Sequence, residues 1–377
     1  MAARLSVLRD THLTRSLQAP RGLDLCSNDY LALSQHPALK ERMIDAVRLE
    51  GCGSTGSRLL RGERRGFSDI ERRFAAFKGT ERALYFSSGY LANIAVLTTF
   101  PEKGDVIFSD ELNHASLIDG VRLASARRVV FPHNDVGRLR RLLDANRGYG
   151  QAFVVVESLF SMDGDAAPLA DYAELCRASS AALIIDEAHA VGVFGARGSG
   201  LIEASGIEDE VFLSVNTAGK ALGVSGAFAA ANASTIDYMV QRARPFIFST
   251  AAPPAVIGAL EAALTIVLGE PERRERLLAL ARHLRARLAE AGVAVPPGSS
   301  QIIPVVLGDN GRAVAVARDL QAQGFDVRAI RPPSVPNGSA RLRISVNVGL
   351  DEQTLDRFAV ALATAVRDST PCPVVSS

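Results

Sequence analysis

From Ala83 to Ala231 the chain alternates short apolar runs with segments of helical spacing, and this alternation constrains the fold more than any other feature. The runs are Ala83–Phe86, Val106–Ser109, Val129–Phe131, Phe153–Val156, Ala182–Ile185, Val211–Val215 and Ala227–Ala231. Most are too apolar to have a wet face, as expected of parallel strands covered on both sides. The pattern predicts an α/β domain with a mostly parallel, seven-stranded sheet. Ligands of such sheets bind beyond the carboxyl ends of the strands, so the chemistry is sought there.

The segments on either side fill out the organisation. A chain of 377 residues is too long for one ordinary core, and two lobes are expected. The first 35 residues read as an irregular arm. Pro37–Glu50 has helical spacing, with Leu39, Met43, Ile44 and Val47 on one face. A second helix is expected over Phe67–Lys78, with Phe67, Ile70, Phe74 and Phe77 as its stripe and Gly79 as its C-terminal cap. Beyond about Pro253 the pattern changes to a charged helix over Glu272–Ala291, with leucines at 277, 278, 284 and 288. Strand-like Ile302–Leu307, helical Ala313–Gln323, strand-like Leu342–Val348 and helical Thr354–Arg367 follow, which reads as a smaller C-terminal α+β domain. The expected division is an arm over 1–36, a large domain over 37–252 and a small domain over 253–377. The end, Asp368–Ser377, reads as a frayed tail.

Composition excludes several classes of function. With 47% hydrophobic and 22% charged residues and a net charge of +1, the chain reads as globular, with no nucleic-acid or acidic-membrane partner. No apolar run approaches the roughly 18 residues of a membrane span, and the N-terminus lacks the apolar stretch of a signal peptide. Cys26, Cys52, Cys176 and Cys372 are scattered, so neither a metal site nor a disulfide framework is expected and a cytoplasmic location fits.

Three motifs carry chemistry. Ser87-Ser88-Gly89-Tyr90 lies between a strand and a helix, where outward N–H groups favour an anion; a plain turn would read the same way. Asp186-Glu187-Ala188-His189 ends a strand, and a carboxylate there could pair with a protonated ring nitrogen or cap the next segment. Lys220, within Thr217-Ala-Gly-Lys-Ala-Leu-Gly223, stands among small and apolar residues. Desolvation there lowers a lysine pKa and exposes a nucleophilic, basic amine, though a buried stem with a wet head is the plainer alternative. The stretch Gly51-Cys-Gly-Ser-Thr-Gly56 matches a dinucleotide fingerprint, but a helical segment precedes it instead of a strand, which argues against a nicotinamide dehydrogenase.

A phosphate site, an acidic partner and a buried lysine, in that order on a parallel sheet, are what a pyridoxal 5′-phosphate enzyme needs. The lysine would hold the cofactor as a Schiff base, the acid would keep its pyridine protonated, and the helix start would hold its phosphate.

From about Leu25 to Phe358 the chain also resembles the α-oxoamine synthases. The resemblance rests on Ser27-Asn-Asp-Tyr-Leu31, Gly53-Ser-Thr-Gly-Ser-Arg58, Ser88-Gly-Tyr90, Asn113-His-Ala-Ser116, Phe160-Ser-Met-Asp-Gly-Asp165, Asp186-Glu-Ala-His189, Gly219-Lys-Ala221 and Ala340-Arg-Leu-Arg343. It implies a fold-type I transferase that forms a homodimer with its active site at the interface. It implies that His114 stacks on the pyridine, Asp186 pairs with the ring nitrogen, His189 meets the phenolic oxygen and Ser161 lies close by. Gly89, Tyr90 and Thr217 would hold the phosphate, Lys220 the aldehyde carbon. Arg343 and Asn28 would bind the amino-acid carboxylate, and Ser334 matches a substrate-contact position. The member it resembles most condenses L-alanine with a pimeloyl thioester, on coenzyme A or acyl carrier protein, to give 8-amino-7-oxononanoate for biotin synthesis.

Two departures stand out. The family's N-terminal arginine for the acyl substrate precedes a short hairpin that this chain lacks; Arg15 is the candidate by position. A histidine common after the Gly-Ser-Arg motif is replaced by Arg61-Gly-Glu-Arg-Arg65. Alternative readings are glycine C-acetyltransferase, 5-aminolevulinate synthase or serine palmitoyltransferase within the family. More distant ones are an aminotransferase and a silent regulatory subunit, the last opposed by an intact Lys220. His12, His36, His133 and His283 match no motif and read as surface residues.

Overall fold

The computed structural model describes residues 1–148 and 150–369. Its large unit comprises Leu31–Phe160 and Ala166–Arg274. The expected seven strands are present: β1 (Arg82–Phe86), β2 (Val106–Asp110), β3 (Arg127–Phe131), β4 (Ala152–Glu157), β5 (Ala182–Asp186), β6 (Leu213–Thr217) and β7 (Ala227–Ala231). They form one sheet in the order β1-β7-β6-β5-β4-β2-β3, with only β7 antiparallel to its neighbours.

The sheet separates two apolar cores, which is why its strands lack polar alternation. Ile107, Phe153, Val155 and Ile184 join Ala92, Val96 and Leu117 from the helices Gly89–Thr99 and Ala115–Leu123. The intervening residues Phe108, Val154, Leu183 and Ile185 join Leu139 and Tyr172 from the helices Val136–Ala145 and Leu169–Ser179 on the other face. Successive strand side chains point to opposite faces. Full burial of each Val, Leu or Ile contributes about 1.5–3 kcal/mol, so neither face tolerates a polar run.

The helix Pro37–Glu50 has the expected bounds, with Pro37 in its first turn and the His36 Nδ1 accepting from Ala38 N at its start. Of its predicted apolar face only Leu39 is buried; Met43 and Ile44 are exposed. Gly51 follows it directly, so no strand leads into the glycine-rich stretch and no dinucleotide turn exists there. The helix Arg65–Lys78 buries Phe67, Ile70, Phe74 and Phe77 and ends on Gly79 in the left-handed region, at φ 72°.

The compact units depart from the expected boundaries. The helix Ala255–Gly269 belongs to the large unit, because it lies against the helix Pro37–Glu50. Gly258 makes that approach possible: a Cβ there would stand 2.4 Å from the Arg42 carbonyl oxygen. Conversely, the second unit comprises Met1–Tyr30, Ser161–Asp165 and the chain from Glu275 onward. Leu23–Asp24 pairs in parallel with Phe325–Asp326, which ties the arm into that unit. Its main sheet pairs Ile302–Gly308 with Ala340–Ser345 in antiparallel register, with Ala329–Ile330 on the outer side. The arm is irregular apart from the exposed helix Ala2–Asp10, and residues 1–22 contain no hairpin. Residues 370–377, which take in Cys372 and most of the expected frayed tail, lie outside the described residues. Among the described residues, no helix is long and apolar enough to cross a membrane.

Candidate active site

The predicted cofactor residues of the large unit gather at the carboxyl edge of its sheet. Past β1, the helix Gly89–Thr99 starts on Ser88, whose side chain accepts from Leu91 N at 3.2 Å. The N–H groups of Gly89 and Tyr90, the first two residues of the helix, precede its ladder, whose first bond runs from Ala92 N to Ser88 O. Thr217 closes β6 beside this turn: a Cβ on Gly89 would meet the Thr217 Oγ1 at 3.5 Å. The Thr217 hydroxyl donates to Gly226 O and accepts from Gly219 N, which pins the loop that carries Lys220. Tyr90 is exposed, and its hydroxyl donates to Asp119, whose carboxylate raises the phenol's pKa.

Lys220 Nζ lies 2.7 Å from His189 Nε2, so the two residues expected to flank the reactive end of the cofactor meet directly. Asp186 is buried at the end of β5. Its Oδ1 accepts from Ala188 N at 2.8 Å and its Oδ2 from Asn93 Nδ2 at 2.6 Å. Asn93 also donates to Ser116 Oγ at 2.9 Å, and that oxygen is 2.7 Å from His114 Nδ1. His114 is the N-cap of the helix Ala115–Leu123. Burial lowers its pKa, opposed by the Asp186 carboxylate and reinforced by the Lys220 ammonium, so the ring is neutral at neutral pH.

Glu187, the neighbouring carboxylate, has a different part. It is fully buried, pairs with the buried Lys78 ammonium and accepts from Leu201 N and Ile202 N. The motif's two carboxylates therefore face different partners.

In the second unit, Arg343 lies buried on the strand Ala340–Ser345. Its guanidinium donates to Ser161 O, to Ser345 Oγ at 2.7 Å and to the Tyr30 hydroxyl at 3.1 Å. Tyr30 in turn donates to Asn28 Oδ1 at 3.0 Å, and burial raises its pKa. Arg343, Asn28 and Ser161 thus share one hydrogen-bonded cluster. Arg341 holds the same segment through Asp163, which is why Ser161–Asp165 groups with this unit. Arg15 Nη2 donates to Pro332 O at 3.0 Å, which brings it to the turn of the exposed Ser334.

Residue-type reasoning missed Asn93, Ser116 and Tyr30 as members of these clusters. It also misplaced His133, which is mostly buried: its Nδ1 is 3.0 Å from Asp110 Oδ1, and its ring meets Phe160 edge-on. Asp110 ends β2 at the carboxyl edge.

The donor set suits pyridoxal phosphate. A helix start with outward N–H groups offers a phosphate site, the buried carboxyl group of Asp186 lies at the same edge, and an amine stands against an imidazole. The chain belongs to the aminotransferase class I and II family, which it matches over residues 20–362. A relative from Anaeromyxobacter dehalogenans (strain 2CP-1), named 8-amino-7-oxononanoate synthase, is 46% identical and is covered over 87% of its length by 93% of this chain. A Geobacter sulfurreducens relative of the same name is 43% identical, with 96% of this chain covering 97% of it. A serine palmitoyltransferase from S. paucimobilis, solved with bound PLP-myriocin, superposes with a TM-score of 0.91 at 29% identity, over 97% of this chain and 96% of that one. The resemblance to condensing enzymes drawn from the motifs is borne out.

Proposed function

We propose that this chain condenses L-alanine with a pimeloyl thioester, releasing 8-amino-7-oxononanoate, carbon dioxide and the free thiol as a step of biotin synthesis. Pyridoxal phosphate is the cofactor and, when bound, supplies the electron sink for a carbanion at the alanine Cα. The observation that carries the chemistry is the Lys220–His189 contact at the sheet edge that also holds Asp186. The relatives' shared name supports the substrates.

Each residue has a task in this scheme. The helix start at Gly89 and Tyr90, with Thr217, holds the phosphate. Asp186, oriented by the N–H bonds that both its oxygens accept, pairs with the ring nitrogen. His189 binds the phenolic oxygen, and His114 stacks on the ring. Lys220 anchors the cofactor, and its amine takes the Cα proton as general base. Arg343 and Asn28 bind the alanine carboxylate, while Arg15 and Ser334 meet the acyl chain. The new bond joins alanine Cα to the thioester carbonyl carbon as the thiol leaves; loss of carbon dioxide and reprotonation at Cα complete the balance.

The active enzyme is a homodimer with its sites at the interface. The exposed apolar residues Met43, Ile44, Leu59, Leu60 and Phe248 of the large unit support this, since they offer apolar surface that a second copy could cover. The carrier of the pimeloyl group, coenzyme A or acyl carrier protein, is read in the same experiment as the substrates.

That experiment is a thiol-release assay crossing alanine, glycine and serine with acetyl, pimeloyl and palmitoyl thioesters, the pimeloyl group being offered both on coenzyme A and on acyl carrier protein. Alanine with a pimeloyl thioester is expected to be fastest, and Lys220→Ala to be inactive and to lack the visible absorbance of lysine-bound cofactor. Preference for glycine with acetyl-CoA, or serine with palmitoyl-CoA, would overturn the substrate assignment. A fully active Lys220→Ala enzyme would overturn the mechanism.

A further inference from the structure

We propose that Asn93 and Ser116 are positioning residues that fix His114 as its Nε2–H tautomer, with the same amide holding Asp186 Oδ2 in place. The inference rests on the proposed function only in giving His114 a place over the reacting centre.

The argument is a count of donors and acceptors. Ser116 N, in the first turn of the helix Ala115–Leu123, lies 3.2 Å from His114 Nδ1 and can only donate. That nitrogen must therefore be bare, and the proton of a neutral ring is on Nε2. Ser116 Oγ, 2.7 Å from the same nitrogen, must donate to it as well. Its lone pair accepts from Asn93 Nδ2 at 2.9 Å, so the hydroxyl's direction is set from behind. The other hydrogen of that amide serves Asp186 Oδ2 at 2.6 Å.

The amide cannot be reversed. A flip would place a carbonyl oxygen 2.6 Å from Asp186 Oδ2, and the Ser116 hydroxyl could donate to that oxygen only by withdrawing its proton from His114 Nδ1. The orientation is kept although it leaves Asn93 Oδ1 buried with no hydrogen-bond partner among the described residues, an arrangement that ordinarily costs about 1–3 kcal/mol. A group buried at that cost is held for what its other end does. Here it sends one N–H towards the ring-nitrogen partner and the other, through Ser116, towards the stacking histidine.

The functional consequence lies at the far side of the imidazole. With Nδ1 occupied, Nε2–H is a donor, able to hydrogen-bond the oxygen that gains charge when the thioester carbonyl is attacked. The other tautomer would present a lone pair to that oxygen and repel it.

The test uses holoenzyme labelled with ¹⁵N-histidine, with His114 assigned from its absence in His114→Gln. The parent should show an unprotonated Nδ1 and a protonated Nε2; a protonated Nδ1 overturns the proposal with no variant needed. Ser116→Ala, left with only the longer main-chain bond, should show a second, Nδ1–H population. Its kcat should fall about 10-fold, with KM for the amino acid within about 2-fold, and Ser116→Thr should restore both signals. Asn93→Ala should do the same and in addition weaken cofactor binding about 10-fold, because Asp186 loses its partner. If both alanine variants keep the parent tautomer and kcat, or lose only thermal stability, the two residues are merely structural and the proposal fails. Every spectral outcome is read whichever amino acid and acyl group the enzyme prefers.

Discussion

Breaking the buried Lys78–Glu187 pair one residue at a time should be far more damaging than removing it whole. Lys78 is 2% exposed and Glu187 is 0% exposed, so neither charge has water to fall back on. Glu187→Gln leaves the ammonium with Ser199 O as its acceptor, and removal of one partner from such a pair costs about 3–5 kcal/mol. Lys78→Met leaves a carboxylate that keeps the N–H groups of Leu201, at 2.7 Å, and Ile202, at 3.0 Å, and belongs at the lower end of that range. The double variant carries no buried charge. Its glutamine oxygen can still accept from the two amides, and its chief loss is the bond to Ser199 O, about 1 kcal/mol. A double-mutant cycle by urea unfolding, at fixed protein concentration because subunit association contributes to stability, should therefore give a coupling of about 3 kcal/mol or more. Effects additive within about 0.5 kcal/mol would refute the reading of Lys78 and Glu187 as charges that depend on each other.

Two further outcomes follow from buried titratable groups. Burial, with the Asp326 and Asp24 carboxylates, pushes the Cys26 thiol up to about 11, and burial pushes Cys176 up to about 12. Iodoacetamide at pH 8 should therefore modify the exposed Cys52 well before either, and peptide mapping that finds Cys26 labelled as fast would contradict this. The His114 pKa is lowered in the folded chain, so the unfolded chain takes up its proton first. That component of stability is complete above the unfolded value of about 6.5 and is lost as pH falls through it towards the folded pKa. The urea midpoint of the parent should then drop more steeply below pH 6.5 than that of His114→Gln; parallel curves would show that this imidazole is not buried as described.

Much of the site was legible because its residues stand in contiguous motifs at strand ends. Lys220, Asp186, His189 and the turn at Gly89 all announced themselves by a polar residue following an apolar run. The strands were legible for the same reason, although β6 begins two residues later than its apolar run does, at Leu213. What escaped were partners drawn from other elements. Asn93 is a lone amide in the apolar helix Gly89–Thr99, four residues past the phosphate turn, and that isolation was the available signal. His133 looked like a surface residue because its partner, Asp110, is 23 positions away in sequence. The compact unit runs past 252 to Arg274, because an apolar helix does not reveal which neighbour buries it; Gly258 is the clue, since a glycine inside a helix marks a close approach.

The consecutive carboxylates Asp186 and Glu187 show how little separates a cofactor residue from a structural one. Glu187 N bonds Val215 O, so the ladder between β5 and β6 continues one residue past the strand and the alternation of side chains holds there. Asp186 shares its face with Ile184, on the side covered by the helix Gly89–Thr99, and so meets Asn93. Glu187 shares its face with Ile185, on the side of Ile202, and meets Lys78. The helix that offers the phosphate site also lies on the Asp186 side, so parity along one strand decides which carboxylate can face the cofactor. Exchanging the pair, as Asp186→Glu with Glu187→Asp, keeps composition and charge but shortens the acid that must reach Lys78 and lengthens the one Asn93 holds. Both interactions should be lost together, because the faces are fixed by the pleat and not by the identity of the acid.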